Sequence, residues 1–419
     1  MIARKTLHPV LLLFFLCYAF PLYSILAQCQ SQKKANSGAY NSHHYPNLFV
    51  ELLGCSEAQV QARIDSTFQQ LFYGDDETQR IYYPVEPDMA YIEDIFNQDV
   101  RTEGMSYGMM IAVQLDKKAE FDRLWNWAKT YMQHQTGPLR HYFAWHCRTD
   151  GTKIDTNPAS DGEEWIVMSL LFAANRWGEG EGIFRYRAEA QQILDAMLGK
   201  SPHSDRADVV TNMFNPKNKL VVFVPAGHVD DFTDPSYHVP HFYELWARWA
   251  NKNNRFWQAA AKASREFLKR AVHPITGLAP DYATFEGKPL DPPWGGGHHD
   301  FRFDAWRVAM NVAIDYLWFA RDDWAVVQSN RLLEFFYRQG IANYGNQFTI
   351  DGKKLGDDHS AGLVAMNAVA ALAASDNMRK DFIAAFWNTP IPSGTYRYYD
   401  GMLYLLALLQ VSGNFRIFE

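Results

Sequence analysis

Apolar residues recur at helical spacing through most of the chain. In Glu120–Gln133, Phe121, Leu124, Trp125, Ala128, Tyr131 and Met132 fall on one side of a helix. The same spacing predicts helices over Glu164–Trp177, His241–Ala250, Arg255–Ala271, Ala305–Phe319, Asp323–Gln339, Gly362–Ala374 and Gly401–Val411. Thr102–Leu115 is a further candidate, in which Gly104 and Gly108 lower the propensity but permit close helix contact. Strand signals are few: Lys219–Pro225 (KLVVFVP) is the best and Phe348–Ile350 a weaker one. Gly and Pro gather between helices, as in DPPWGGG at Asp291–Gly297. No Ser/Gly-rich or Pro-rich linker divides the chain. Helix plus loop recurs at roughly 30–35 residues, which accommodates about a dozen helices. That suits a closed double layer of helical hairpins, although periodicity does not separate it from an open helical array.

The first 28 residues read differently. Arg4 and Lys5 precede an apolar run from Val10 to Leu26, and Ala27 is a small residue at the expected cleavage point. The run is short for a membrane span and is interrupted by Pro21 and Ser24, so a cleaved export signal is favoured over an anchor. Residues 29–419 are then a single domain that is exported, periplasmic or secreted. Lipidation at Cys29 is less favoured, because Gln28 is not the usual small residue before a lipidated cysteine. No second long apolar run follows, so no membrane-spanning mature domain is expected.

Composition narrows the function classes. The 419 residues carry 40 Lys+Arg against 47 Asp+Glu, a net charge of −7, which argues against nucleic acid bound by a general basic surface. A 47% hydrophobic and 21% charged composition excludes a disordered chain. Four cysteines do not make a disulfide scaffold. Core packing can absorb many of the 13 Trp and 22 Tyr, and an excess also suits stacking on flat apolar faces, including those of sugar rings.

Polar residues gather at four loop-like places. The first is Arg101–Gly108, with Glu103 near a helix start, where the helix dipole favours a carboxylate. The second is Asn157–Trp165, where Ser160 and Asp161 can cap the next helix, yet Asp161, Glu163 and Glu164 are more carboxylates than a cap requires. The third is Asp234–His241, which holds Tyr237 between two prolines. The fourth is His298–Arg307, a mixture of carboxylates, imidazoles, arginines and aromatics. His298, His299 and Asp300 are sequence neighbours that rarely point at one ion, and no HExxH or paired CxxC is present, so no metal is expected. Walker A, GxGxxG and GxSxG motifs are also absent. Carboxylates among aromatics on an exported chain are the inventory of glycoside hydrolysis, in which one acid protonates the leaving oxygen and a second carboxylate activates water or attacks.

At these places the chain resembles glycoside hydrolase family 8. The matching pieces are TEGMSYGMM at 102–110, ASDGEEWIVMSLLFAANRWG at 159–178, DPSYHVPHFYELWARWA at 234–250 and FRFDAWRVAMN at 301–311. YRYYDGMLYLLALLQVSGNFRIF at 396–418 fits as well. The resemblance implies an all-α (α/α)6 barrel with minor strand content in its loops, and an inverting mechanism without a cofactor. By motif, Glu103 is the general acid and Asp304 the general base. Asp161 binds and distorts the sugar at the cleavage point, Tyr237 helps to hold the attacking water, and Arg307 orients the base region. Trp145 in HYFAWHC is a stacking candidate. Where the family often has Asp two places after Asp161, this chain has Glu163. The acid needs a pKa raised by burial or by a neighbour such as Asp161. The base must stay ionised beside Arg307 or Arg302. An inverting pair stands roughly 6.5–9.5 Å apart, whereas about 5 Å favours retention.

The likeness is strongest to the branch that releases xylose from the reducing end of β-1,4-xylo-oligosaccharides. In that branch a loop bearing a histidine closes the cleft. Asp358-His359-Ser360-Ala361-Gly362 is the counterpart here, with His359 reaching the reducing-end hydroxyl, although Asp358 or Ser360 acting only as a helix cap explains the segment equally. The partner expected is a xylo-oligosaccharide, and a monomer is favoured. The competing readings are an endo-acting xylanase or β-glucanase of the same family and, more remotely, a catalytically silent sugar-binding protein.

Overall fold

The computed structural model describes residues 37–419; the expected leader at 1–28 and Cys29 lie outside them. Helices dominate. In chain order they are α1 (Ala39–Ser42), α2 (Leu48–Leu53), α3 (Glu57–Tyr73), α4 (Thr102–Gln114), α5 (Lys118–Trp127), α6 (Ser160–Trp177) and α7 (Tyr186–Met197). Then follow α8 (Pro240–Trp249), α9 (Asn254–Ala271), α10 (Arg307–Phe319), α11 (Trp324–Gln339), α12 (Ala361–Ala370), α13 (Arg379–Asn388) and α14 (Arg397–Val411). They build an (α/α)6 barrel.

The six inner helices are α4, α6, α8, α10, α12 and α14. Neighbours pack in the order α4–α6, then α8–α10, α10–α12 and α12–α14, and α14 returns to α4 to close the ring. Between α6 and α8 the Tyr243 hydroxyl donates to Glu164 Oε1 at 2.5 Å, and Trp165 meets Phe242 edge to face. The outer layer consists of α3, α5, α7, α9, α11 and α13, each packed on an inner helix. Sequence pattern explains the layering. Inner helices are buried nearly all round, as along Gly104–Gln114 and Ser160–Ala174. Outer helices keep one apolar stripe, as in α9, where Trp257, Ala260, Ala261, Ser264, Phe267 and Leu268 are buried.

Close approach of inner helices depends on small residues. A Cβ at Gly162 would stand 2.4 Å from Thr102 Cβ, so only glycine lets α6 seat its first turn against α4. All six inner helices begin at one end of the barrel, where Thr102, Asp161, Tyr237, Asp304, Ser360 and Asp400, each at or just before the start of one of them, gather. Short antiparallel strands brace that end. They include Tyr82–Val85 with Met89–Ile92, and Val100–Arg101 with His146–Cys147.

Two expectations are corrected. Lys219–Pro225 is not a strand and makes a single isolated bridge, Val221 with Phe214. Its backbone groups serve different partners: Val222 N donates to Met213 O, Phe223 N to Phe232 O, and Val222 O accepts from Ser160 Oγ. No ladder forms from such divergent bonds. Ser160 therefore does not cap α6, whose capping position is Ala159 with no side-chain cap. Residues Phe348–Ile350 contribute only Phe348, in the pair Gln347–Phe348 with Lys354–Gly356. Among the described residues no helix is long and apolar enough to cross a membrane.

Candidate active site

A cleft of about 840 Å3 opens at the end where the inner helices begin. Glu103, Trp145, Asp161, Tyr237, Asp304 and His359 all line it. They come from separate connections spread along the chain, and the barrel brings them together.

Arg307, in the first turn of α10, lies beneath the floor with its side chain 2% exposed. Its Nη1 donates to Glu103 Oε2 at 3.0 Å, Asp161 Oδ2 at 2.9 Å and the Tyr107 hydroxyl at 2.7 Å. Its Nη2 reaches Asp304 Oδ1 at 3.1 Å and Ser236 Oγ at 3.0 Å. One planar guanidinium thus organises three carboxylates. The two Nη atoms of a guanidinium stand roughly 2.3 Å apart. With these contacts, the held oxygens of Glu103 and Asp304 are no more than about 8.4 Å apart. The inverting range lies largely below that ceiling, as does the shorter separation of a retaining pair. Arg302 does not serve Asp304; it donates to Gln347 Oε1 at 3.1 Å and to Gly296 O.

Charge state follows from burial. Burial pushes Glu103 from 4.5 up to about 8; Arg307 pulls it down, and Asp304, then Asp161, push it up. Asp161 is raised as well, again by burial first, against the pull of Arg307. Its Oδ1 accepts from Gly162 N at 2.9 Å, and its Oδ2 turns to Arg307 rather than acting as a cap. The other two carboxylates of that segment leave the cleft. Glu163 accepts from Phe143 N at 2.9 Å and braces the segment that leads to Trp145, and Glu164 takes the Tyr243 hydroxyl. The family-divergent Glu163 thus supports a wall from behind.

Trp145 is held by its backbone, with Thr102 N donating to Trp145 O and Trp145 N donating to Asn157 O. The Arg101 guanidinium lies 5.6 Å from its ring, fixed in turn by Asp94 and Asp99. Tyr237 stacks near Phe223 at 5.9 Å, in a single turn that Asp234 caps by accepting from Ser236 N. Burial, then Asp161, keep its phenol protonated far into the alkaline range. His359 is exposed, and its Nδ1 lies 2.9 Å from Tyr344 O. A carbonyl only accepts, so Nδ1 carries a proton, and in the neutral ring Nε2 is the acceptor. Ser360 occupies the cap position of α12 without a side-chain cap bond, and its Oγ accepts from Asn346.

His298, His299 and Asp300 do not converge. His298 Nδ1 pairs with Asp281 Oδ2 at 2.6 Å, and its ring lies face to face with Tyr282 at 4.1 Å. Among the described residues, the group with metal-like spacing is Asp234, Asp281 and Asp304, whose oxygens lie within 4.8 Å of one another. One Asp281 oxygen there is already engaged by His298. Sequence reasoning missed several residues of the cleft: Asp281, Tyr282, Tyr398, Tyr399 and Asp400. The last three sit in YRYYDG, where three tyrosines and an aspartate cluster at the start of an otherwise apolar helix, a signal available from the sequence.

The reducing-end xylose-releasing exo-oligoxylanase Rex8A of Paenibacillus barcinonensis is 48% identical over 384 residues, 91% of this chain and 98% of that protein. Its structure complexed with xylose superposes with a TM-score of 0.86 at 47% identity, covering 91% of this chain and 100% of that one. A catalytic mutant of a xylanase from Teredinibacter turnerae, complexed with xylohexaose, gives 0.87 at 46% identity, covering 90% and 99%. Residues 92–413 match the glycosyl hydrolases family 8, and with the barrel and its carboxylate-lined cleft in place, the chain belongs to that family.

Proposed function

We propose that this enzyme hydrolyses β-1,4-xylo-oligosaccharides from the reducing end with inversion, releasing xylose. Glu103 is the general acid and Asp304 the general base. The observation that carries this reading is the Arg307 guanidinium, which holds the two carboxylates on different Nη atoms while burial keeps Glu103 protonated to about pH 8. Glu103 gives its proton to the glycosidic oxygen as the bond from the anomeric carbon to that oxygen breaks. Water adds to the anomeric carbon from the opposite face, and its proton passes to Asp304. Tyr237 holds that water, Asp161 grips the distorted sugar, Arg307 fixes the three carboxylates, and Trp145 stacks on a sugar face. His359 Nε2 accepts the reducing-end hydroxyl and sets the exo preference. The high coverage of Rex8A, including the His359 segment, supports the substrate class. A leader at 1–28 places the enzyme outside the cytoplasm.

The test is a time course on xylotriose and its reduced alditol with wild type, Glu103→Gln and Asp304→Asn. Xylose from the unreduced sugar alone, an α-anomer at the new chain end by NMR, and loss of about 10²–10⁴-fold in both variants are expected. Equal cleavage of both sugars would favour the second reading, an endo-acting xylanase, which the likeness to the xylohexaose-bound xylanase keeps in view.

A further inference from the structure

Glu103 is held at both oxygens, but by different kinds of partner. Oε2 faces Arg307 Nη1, which can only donate. The acid proton therefore belongs on Oε1. The Tyr398 hydroxyl, from the first turn of α14, lies 3.2 Å from Oε1 and is the other side chain bonded to this carboxyl. A hydroxyl both donates and accepts, so it suits Oε1 with or without the proton.

The seat for Tyr398 is the neighbouring glycine. A Cβ at Gly104 would stand 2.5 Å from Tyr398 Cε2 and 2.7 Å from its hydroxyl oxygen. Real Cβ atoms do not come so near a ring, so any other residue at 104 displaces the tyrosine. Gly104 sits in the first turn of an otherwise buried helix, where glycine is a poorer helix former than alanine. The glycine of TEGMSYG is thus tied to the acid beside it through a residue almost 300 positions away.

We propose that Tyr398, seated on Gly104, is a positioning residue for the acid, supplying the hydrogen bond that strengthens on Glu103 Oε1 as the proton departs. The inference rests on the assignment of Glu103 as the acid. As Oε1 gains negative charge, the phenol turns fully donor, and a bond to a forming anion is stronger than one to a neutral acid. Burial, then the nearby Glu103 charge, keep Tyr398 protonated throughout. The other charged groups around Glu103 are Arg307 and Asp304 at the start of α10, Asp161 on α6 and Arg101 ahead of α4. Arg101 and Asp94 also face Tyr398. The phenols of Tyr107 and Tyr399 lie close by and are held protonated by burial.

The experiment is the pH dependence of kcat and KM on xylotriose for wild type, Tyr398→Phe, Gly104→Ala and the double variant, with Glu103→Gln as reference. Tyr398→Phe should lower kcat about tenfold to a hundredfold with little change in KM. Its alkaline limb should move up by about one pH unit, because the ionised acid loses a donor. Gly104→Ala should move the limb the same way, and the double variant should be no worse than Tyr398→Phe, since both remove one interaction. A limb that stays put, or moves down as water enters a loosened site, would overturn the proposal whatever happens to kcat. If Glu103→Gln keeps its activity, the acid assignment itself has failed. If Glu103→Gln is inactive while the Tyr398→Phe limb stays put, only this inference has.

Discussion

Replacing Arg307 with Met tests the electrostatic account of the site most directly. The substitution keeps an unbranched apolar stem and removes a guanidinium that contacts Glu103, Asp161 and Asp304 at 2.9–3.1 Å. At 2% exposure the cation is beyond solvent screening, and breaking such a buried pair costs about 3–5 kcal/mol. The loss should depend on pH. Burial already holds Glu103 near 8 and raises Asp161, with Arg307 pulling both back. Their ordinary values are 4.5 and 3.8. A carboxyl whose folded value exceeds its unfolded value favours the fold while protonated, and that contribution is lost as pH rises through the folded value. Without Arg307 both folded values climb further. The deficit should therefore be smaller near about pH 4.5, where Glu103 is protonated in the folded state with or without Arg307, than near about pH 9, above the wild-type Glu103 value. Urea unfolding followed by tryptophan fluorescence at the two pH values measures it. A deficit equal at both, or one below about 1 kcal/mol at the higher pH, would refute the reasoning.

Three further outcomes are expected. The wild-type profile of kcat/KM should fall on an alkaline limb near pH 8, the value to which burial lifts Glu103, and titrating activity on xylotriose from pH 5 to 10 checks it. His359→Ala should narrow the preference for xylotriose over its reduced alditol by about tenfold, the worth of one hydrogen bond, read as a ratio of kcat/KM values. Prolonged EDTA treatment should leave the initial rate unchanged, because the proposed chemistry runs on carboxylates alone. A rate that falls and returns with added calcium or manganese would instead make Asp234, Asp281 and Asp304 the first residues to mutate.

The layers of the fold were legible because two kinds of helix differ in sequence. Outer helices α9 and α11 alternate apolar and charged residues at helical spacing, and the periodic reading finds these two within a residue or two, whereas α3, α7 and α13 went unread. Inner helices are apolar nearly all round, which periodicity sees as a long apolar run, so α14 was foreseen only from Gly401 although it begins at Arg397. The missed helix α3 carries a readable signal, a capping box between Ser56 and Gln59, but its polar face dilutes its apolar stripe. KLVVFVP misled because β-propensity reports on a half-buried surface, and here the segment fills a core between loops. In the site, motifs supplied the carboxylates but not their wiring. That Glu163 points away from the sugar, or that Arg302 ignores Asp304, depends on which way a backbone turns after the motif ends.

The closure of α14 against α4 has a temporal side. Glu103 emerges early in synthesis, whereas the tyrosine that touches it is 295 residues later. Five of the six barrel staves can be complete while the acid still lacks that contact and one wall of the cleft is missing. Contacts that span so much sequence form late and slowly. A chain that stopped before α14 would keep Glu103, Asp161 and Asp304 yet lack the tyrosine and the wall that complete the cleft, so competence toward sugar arrives only with the last stave, when the ring shuts.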